Sequence, residues 1–216
     1  MPQPPAPPTI ELADPLTELA DLSARDDHDG VVLAGTDLSG RAAQDLRLTR
    51  SRLHDCALHG AVLDGALLAE CHLERLTATT LDLVGARLRD VEISGGRIGD
   101  LRAHDAELAR VAVRGTRLGY VNLRGATLTD VRFSGCVISD LDVGEATLQR
   151  VTLDDCTVER LLTRNAALDT VDLTGAEVQQ VAAVDHLRGV TISTAQLAVF
   201  AGAFADHLGI AVAELG

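Results

Sequence analysis

Between Leu33 and Ala183 every fifth residue but one is apolar, in one frame kept without insertion or deletion. Of the 31 positions spaced this way 18 are Leu, the rest are Ala, Val, Ile and one Phe, and Thr163 alone is polar. A period of five matches neither the 3.6 of a helix nor the 2 of a strand, so no straight element keeps these side chains on one buried face. The chain has to turn a corner every five residues.

A longer period sets how many corners make a turn. Stepping by 20 from the position two before a centre gives Ala66, Ala86, Ala106, Ala126, Ala146 and Ala166. The same step gives Val91, Val111, Val131, Val151 and Val171, and among the centres an unbroken Leu column from Leu48 to Leu168. Each column keeps its own volume, which means a coil of four five-residue sides with like stacked on like. Self-similarity of this kind marks a solenoid.

Runs such as Ala86-Arg-Leu-Arg-Asp, Ala126-Thr-Leu-Thr-Asp and Ala146-Thr-Leu-Gln-Arg resemble the pentapeptide-repeat proteins, whose motif is A-(D/N)-L-x-x. The resemblance implies their fold, an all-β, right-handed quadrilateral β-helix, here of nearly eight coils. This sequence departs from the motif in carrying Asp or Asn before the centre only at 37, 82, 122, 142 and 172, and in often replacing Ala by Val or Leu.

The organisation follows. Residues 1–30 form a lead-in and an N-terminal cap, residues 31–186 the β-helix, and residues 187–216 a C-terminal segment. Five of the six Pro fall in residues 1–8, which reads as disordered or irregular. Asp14-Pro15 is an N-cap followed by Pro at the first helical position, and predicts a short helix to about residue 24. A cap there would cover the open edge of the first coil. Within the coils Gly recurs two after the centre, and Asp90, Asp100, Asp130, Asp140 and Asn165 share that corner position. After Ala183 the period changes: Ser193 or Thr194 caps a helix predicted over residues 195–208, with Gly209 past its end. Leu197, Phe200, Ala201, Phe204 and Leu208 follow helical spacing on a helix so apolar that more than one side needs cover. We therefore expect a homodimer with these five residues at its interface. Two solenoids joined tail to tail would make a rod of roughly 75 Å at about 4.8 Å per coil.

Chemistry finds little foothold. Cys56, Cys71, Cys136 and Cys156 all fall on inward positions, as small core residues. His72 stacks on Glu92 one coil later, a solvated contact. Asp26-Asp27-His28-Asp29-Gly30 lacks the alternating oxygen ligands of a calcium loop and reads as an acidic turn. No catalytic set converges, and no cofactor or metal is expected, so the reading is a binding protein and not an enzyme. Neither an 18-residue apolar window nor a signal peptide occurs, which makes a cytoplasmic protein without a membrane span the expectation. Thr163, the polar centre, is expected to accept Val or Leu with a small gain in stability.

Charge is the informative surface property. The formal net charge is −13, yet residues 31–139 are nearly neutral with 13 acidic and 14 basic side chains. Residues 140–185 hold ten acidic and three basic. The acidic band is Asp140, Asp142, Glu145, Asp154, Asp155, Glu159, Asp169, Asp172, Glu177 and Asp185. Such a surface repels phosphate, so direct nucleic-acid binding is disfavoured and a basic partner is favoured. The family resemblance supplies one such partner. Some pentapeptide-repeat proteins dimerise through their C-terminal ends, imitate duplex DNA and occupy the DNA site of DNA gyrase, which implies a role in modulating or protecting a type II topoisomerase and in antibiotic resistance. The alternative is an interaction scaffold for an unrelated protein.

Overall fold

A computed structural model describes residues 3–213. Its strands form a single parallel ladder in which each residue pairs with the one 20 positions on: Leu68 with Leu88, Leu88 with Leu108, Leu108 with Leu128, and so on to Leu168. The fold is the four-sided β-helix that the two periods predict. Pairs of strands such as Arg87–Ser94 and Arg97–Arg102 make most of one coil, while Thr147–Leu162 and Ala167–Ala182 run through the corners without interruption.

The interior is built as the columns foretell. Ala86, Leu88 and Val91 are buried, whereas Arg87 and Arg89 between them face solvent. Small and branched side chains dominate this lumen, with Phe133 the aromatic centre among them. Cys56, Cys71, Cys136 and Cys156 are free thiols inside it, and Cys71 Sγ donates to the Leu48 carbonyl at 3.4 Å. Burial pushes the Cys71 thiol up to about 11.

The corners differ from expectation in which residues turn them. Asp90, Asp130 and Asn165 take positive φ, as do Gly35, Gly60 and Gly125, but Asp100, Asp140 and Gly175 do not. From Thr80 onward that corner column lies inside the ladder, with Asp100 paired to Thr80 and Tyr120, so the strand carries on through it. Conversely Arg50, Arg75, Arg110 and Arg150 adopt positive φ at about 1–3 kcal/mol each. The N–H groups of Arg50 and Arg75 bond the next coil, and all four guanidiniums grip a carboxylate one coil earlier, and that tertiary gain overrides local preference. In the last coil the register slips by one, Asp154 facing Gly175, and recovers where Thr157 faces Glu177.

Both ends are closed. The predicted helix after Asp14-Pro15 does not form. Thr17–Glu18 instead pairs in parallel with Val31 and Val32, with Thr17 N–H to Gly30 O at 2.8 Å and Leu19 N–H to Val32 O at 2.9 Å. The first coil offers unpaired carbonyls that an extended segment can satisfy and a helix cannot. Leu22 is buried against the core. Residues 3–13 lie extended along one side of the solenoid, outside the ladder. At the far end Val190–Thr191 pairs with Val171 and Asp172, and the helix Thr194–His207 lies across the last coil. Ser193 caps it in a reciprocal capping box with Gln196.

Candidate partner-binding surface

The outward corners carry a ladder of ion pairs. Arg110 Nε and Nη2 each lie 2.6 Å from the two carboxylate oxygens of Asp90, one coil earlier. Arg150 grips Asp130 the same way at 2.7 and 2.9 Å, and Arg75 grips Asp55 at 2.7 and 2.6 Å. The 20-residue period places a corner directly above the same corner, so Asp and Arg in one column meet fork to fork. The guanidinium beside each carboxylate holds Asp90, Asp130 and Asp55 below the usual carboxylate range.

This pairing divides the predicted acidic band. Asp140 is bound by Arg160, Glu145 by Arg124, and Asp154 by Arg132 at 3.7 Å. Asp142 is buried, accepting Tyr120 Oη at 3.1 Å and Gly144 N–H at 2.9 Å, and therefore offers nothing to a partner. Tyr120, whose hydroxyl donates to that site, is itself exposed. Among the described residues, no carboxylate from Asp155 to Asp185 has an Arg partner. Asp155, Glu159, Asp169, Glu177 and Asp185 are exposed and Asp172 partly so. They do not share a face: Asp169, Asp172 and Glu177 flank three successive centres and so lie on three sides of the coil.

The helix residues also separate. Phe200 is 1% exposed and packs edge-on to Phe204, with ring centroids 6.5 Å apart, over the end of the solenoid. These rings close their own chain's lumen. Leu197 and Leu208 are 51% and 68% exposed and Ala201 is exposed on the outward side, joined by Val199, Ile210 and Val212. Sequence reasoning missed Gln196, whose Nε2 donates to the carbonyls of Leu173 at 2.6 Å and Ala176 at 2.8 Å. The capping-box spacing from Ser193 was the available clue.

Among the described residues no three His, Cys, Asp or Glu side chains are grouped to hold a metal ion, and no helix is long and apolar enough to cross a membrane. His72 stands beside Glu92 in register, but Glu92 turns to Arg114 at 3.3 Å.

The chain matches the family of pentapeptide repeats in eight copies, over residues 51–95 and 106–140. Among solved structures it is similar to a trypsin-treated variant of QnrB1, a plasmid-mediated fluoroquinolone resistance protein, at 17% identity and a TM-score of 0.41, covering 92% of this chain and all of that one. It is also similar to HetL, a pentapeptide repeat protein involved in heterocyst differentiation regulation from the cyanobacterium Nostoc sp. strain PCC 7120. There the identity is 22% and the TM-score 0.35, covering 81% of this chain and 90% of that one. No curated protein matches the chain. Residues 51–95 and 106–140 thus carry pentapeptide repeats, and their five-residue frame is wound into a four-sided parallel ladder.

Proposed function

We propose that the protein is a non-catalytic, cytoplasmic binding module whose acidic C-terminal coils engage a basic protein surface. The observation that supports this reading is the run of six carboxylates from Asp155 to Asp185 without an Arg partner, against the paired corners upstream. Uncompensated charge at one end of a rod attracts a basic partner and repels nucleic acid. The DNA-binding face of DNA gyrase is the partner the family resemblance supplies, with the solenoid standing in for duplex DNA and modulating or protecting the enzyme. Pairing of two chains through the outward helix face of Leu197, Ala201 and Leu208 would set the two acidic ends side by side on a two-fold axis.

The test is gyrase supercoiling with the wild type and with a variant carrying Asp155→Asn, Glu159→Gln, Asp169→Asn, Asp172→Asn and Glu177→Gln. Inhibition or protection that weakens with salt and vanishes in the variant is expected. Equal indifference of gyrase to both proteins would end the topoisomerase reading. The spread of these carboxylates over three sides favours a second reading, a scaffold whose partner encircles the end of the solenoid. Salt-dependent binding to other basic proteins, lost in the same variant, would identify it.

A further inference from the structure

The extended segment of residues 3–13 is held by a repeated device. Thr9 N–H donates to Asp90 Oδ1 at 3.1 Å, and Ala6 N–H donates to Asp130 Oδ1 at 3.0 Å. Each acceptor is the same oxygen that receives an Arg Nε from one coil on, Arg110 at 2.6 Å and Arg150 at 2.7 Å. The corner column reads Asp90, Arg110, Asp130, Arg150, so a fixed carboxylate recurs every second coil.

The spacing suits one backbone conformation. Two coils at about 4.8 Å separate the acceptors by about 9.6 Å. Three residues of polyproline II rise about 9.3 Å, with every backbone N–H free of internal bonds. Gln3, Pro4, Ala6 and Pro7 each precede a proline, which biases them to that conformation, and prolines fix their own φ to it. Ala6 and Thr9, three apart, are the residues that keep an N–H where the groove offers an acceptor.

The floor is shaped for the same ligand. Ala112 occupies an outward position, where its column neighbours are Glu92 and Arg132, yet it is only 1% exposed. Its small side chain leaves a notch, walled by Arg114 and Arg132 and covered by Pro5 to Pro8, and Pro5 is buried there. Lower down, Ala13 N–H reaches Arg50 O at 3.3 Å and its Cβ lies over Gly30, where any added Cβ would sit 2.6 Å away.

We propose that this side of the solenoid is a polyproline-II binding groove, filled in cis by residues 3–13 and open to exchange with a proline-rich segment of another protein that presents N–H groups three residues apart. Prolines cost little entropy on docking and no ladder pairing holds the strap along its length, so a matching segment can displace it once it overcomes the effective concentration, of order mM, that the tether gives the strap.

The test uses the full chain. Ala6→Pro with Thr9→Pro keeps the polyproline bias and removes both donors. Hydrogen exchange at the Ala13 amide reads release of the strap, and fluorescence anisotropy reads binding of a fluorescein-labelled peptide of residues 3–13. Expected are loss of protection at Ala13 and saturable peptide binding to the variant, at least about tenfold tighter than to the wild type, whose groove is filled. A peptide with Pro in place of Ala6 and Thr9 should bind the variant at least about tenfold more weakly than the native peptide. Retained protection at Ala13, no binding of the native peptide, or equal binding of both peptides would each overturn the proposal.

Discussion

Gln196 Nε2 donates to the carbonyls of Leu173 and Ala176 while its Oε1 accepts the Ser193 N–H at 2.7 Å, so one buried side chain both starts the C-terminal helix and closes the last coil. A β-helix ends in a rim of carbonyls with no following coil to bond them, and burial of that rim without donors costs about 1–3 kcal/mol per group. Gln196→Leu keeps the volume and removes the donors. It should lower stability by about 2–4 kcal/mol in urea or thermal melts, and an unchanged midpoint would show that the helix closes the solenoid by apolar contact alone.

Thr163 reverses an expectation. Its hydroxyl, 1% exposed with its residue, lies 2.9 Å from the Ala182 carbonyl and 3.1 Å from that of Ala183, where the chain leaves the ladder. A hydroxyl can donate to one of these at a time, and Val to neither. Thr163→Val should therefore destabilise by about 1–2 kcal/mol rather than stabilise. A variant melting at or above the wild type would restore the simpler view of Thr163 as a misplaced core residue.

Asp90 and Asp130 tie stability to pH. Their carboxyls are held below the ordinary value by Arg110 and Arg150, and such a depressed group stabilises the fold fully above its unfolded value of about 3.9. That contribution is lost as pH falls through the lower, folded value. Wild type should thus lose melting temperature between pH 5 and pH 2.5, and Asp90→Asn with Asp130→Asn should lose less over the same interval. At pH 7 each substitution should cost about 1.5–3 kcal/mol, since hydrogen bonds to charged groups lie in that range. Parallel pH curves for the two proteins would refute the linkage.

Phe200 and Leu197 should separate closure from assembly. Phe200→Ala opens a cavity at the end of the lumen and should cost about 3–5 kcal/mol whatever the oligomeric state. Leu197→Glu with Leu208→Glu touches only the exposed face and should leave the melting temperature of the isolated chain within about 0.5 kcal/mol. If the proposed pairing through that face occurs, light scattering will find the wild type dimeric at micromolar concentration and this variant monomeric. A wild type already monomeric there would reject the pairing while leaving the closure intact.

The fold was legible because it is written twice in the sequence, as a period of five and a period of 20. Each inward column admits one narrow range of volume, so Ala86, Leu88 and Val91 state their own burial. The C-terminal helix was legible for a similar reason, since Ser193, the apolar spacing to Leu208 and Gly209 are local marks. What tertiary structure decided lies in contacts between residues far apart in the chain. Asp90 and Arg110 are each ordinary surface residues until the coil sets one above the other, and only then is Asp142 withdrawn from the acidic band or Asp155 left without an Arg partner. Phe200 is apolar in any reading, but only the placement of its helix turns it inward to its own lumen. The prolines of residues 3–8 name a conformation and not a location. Their place along the solenoid follows from a match between the rise of two coils and the rise of three residues, a length that no single segment of the sequence contains.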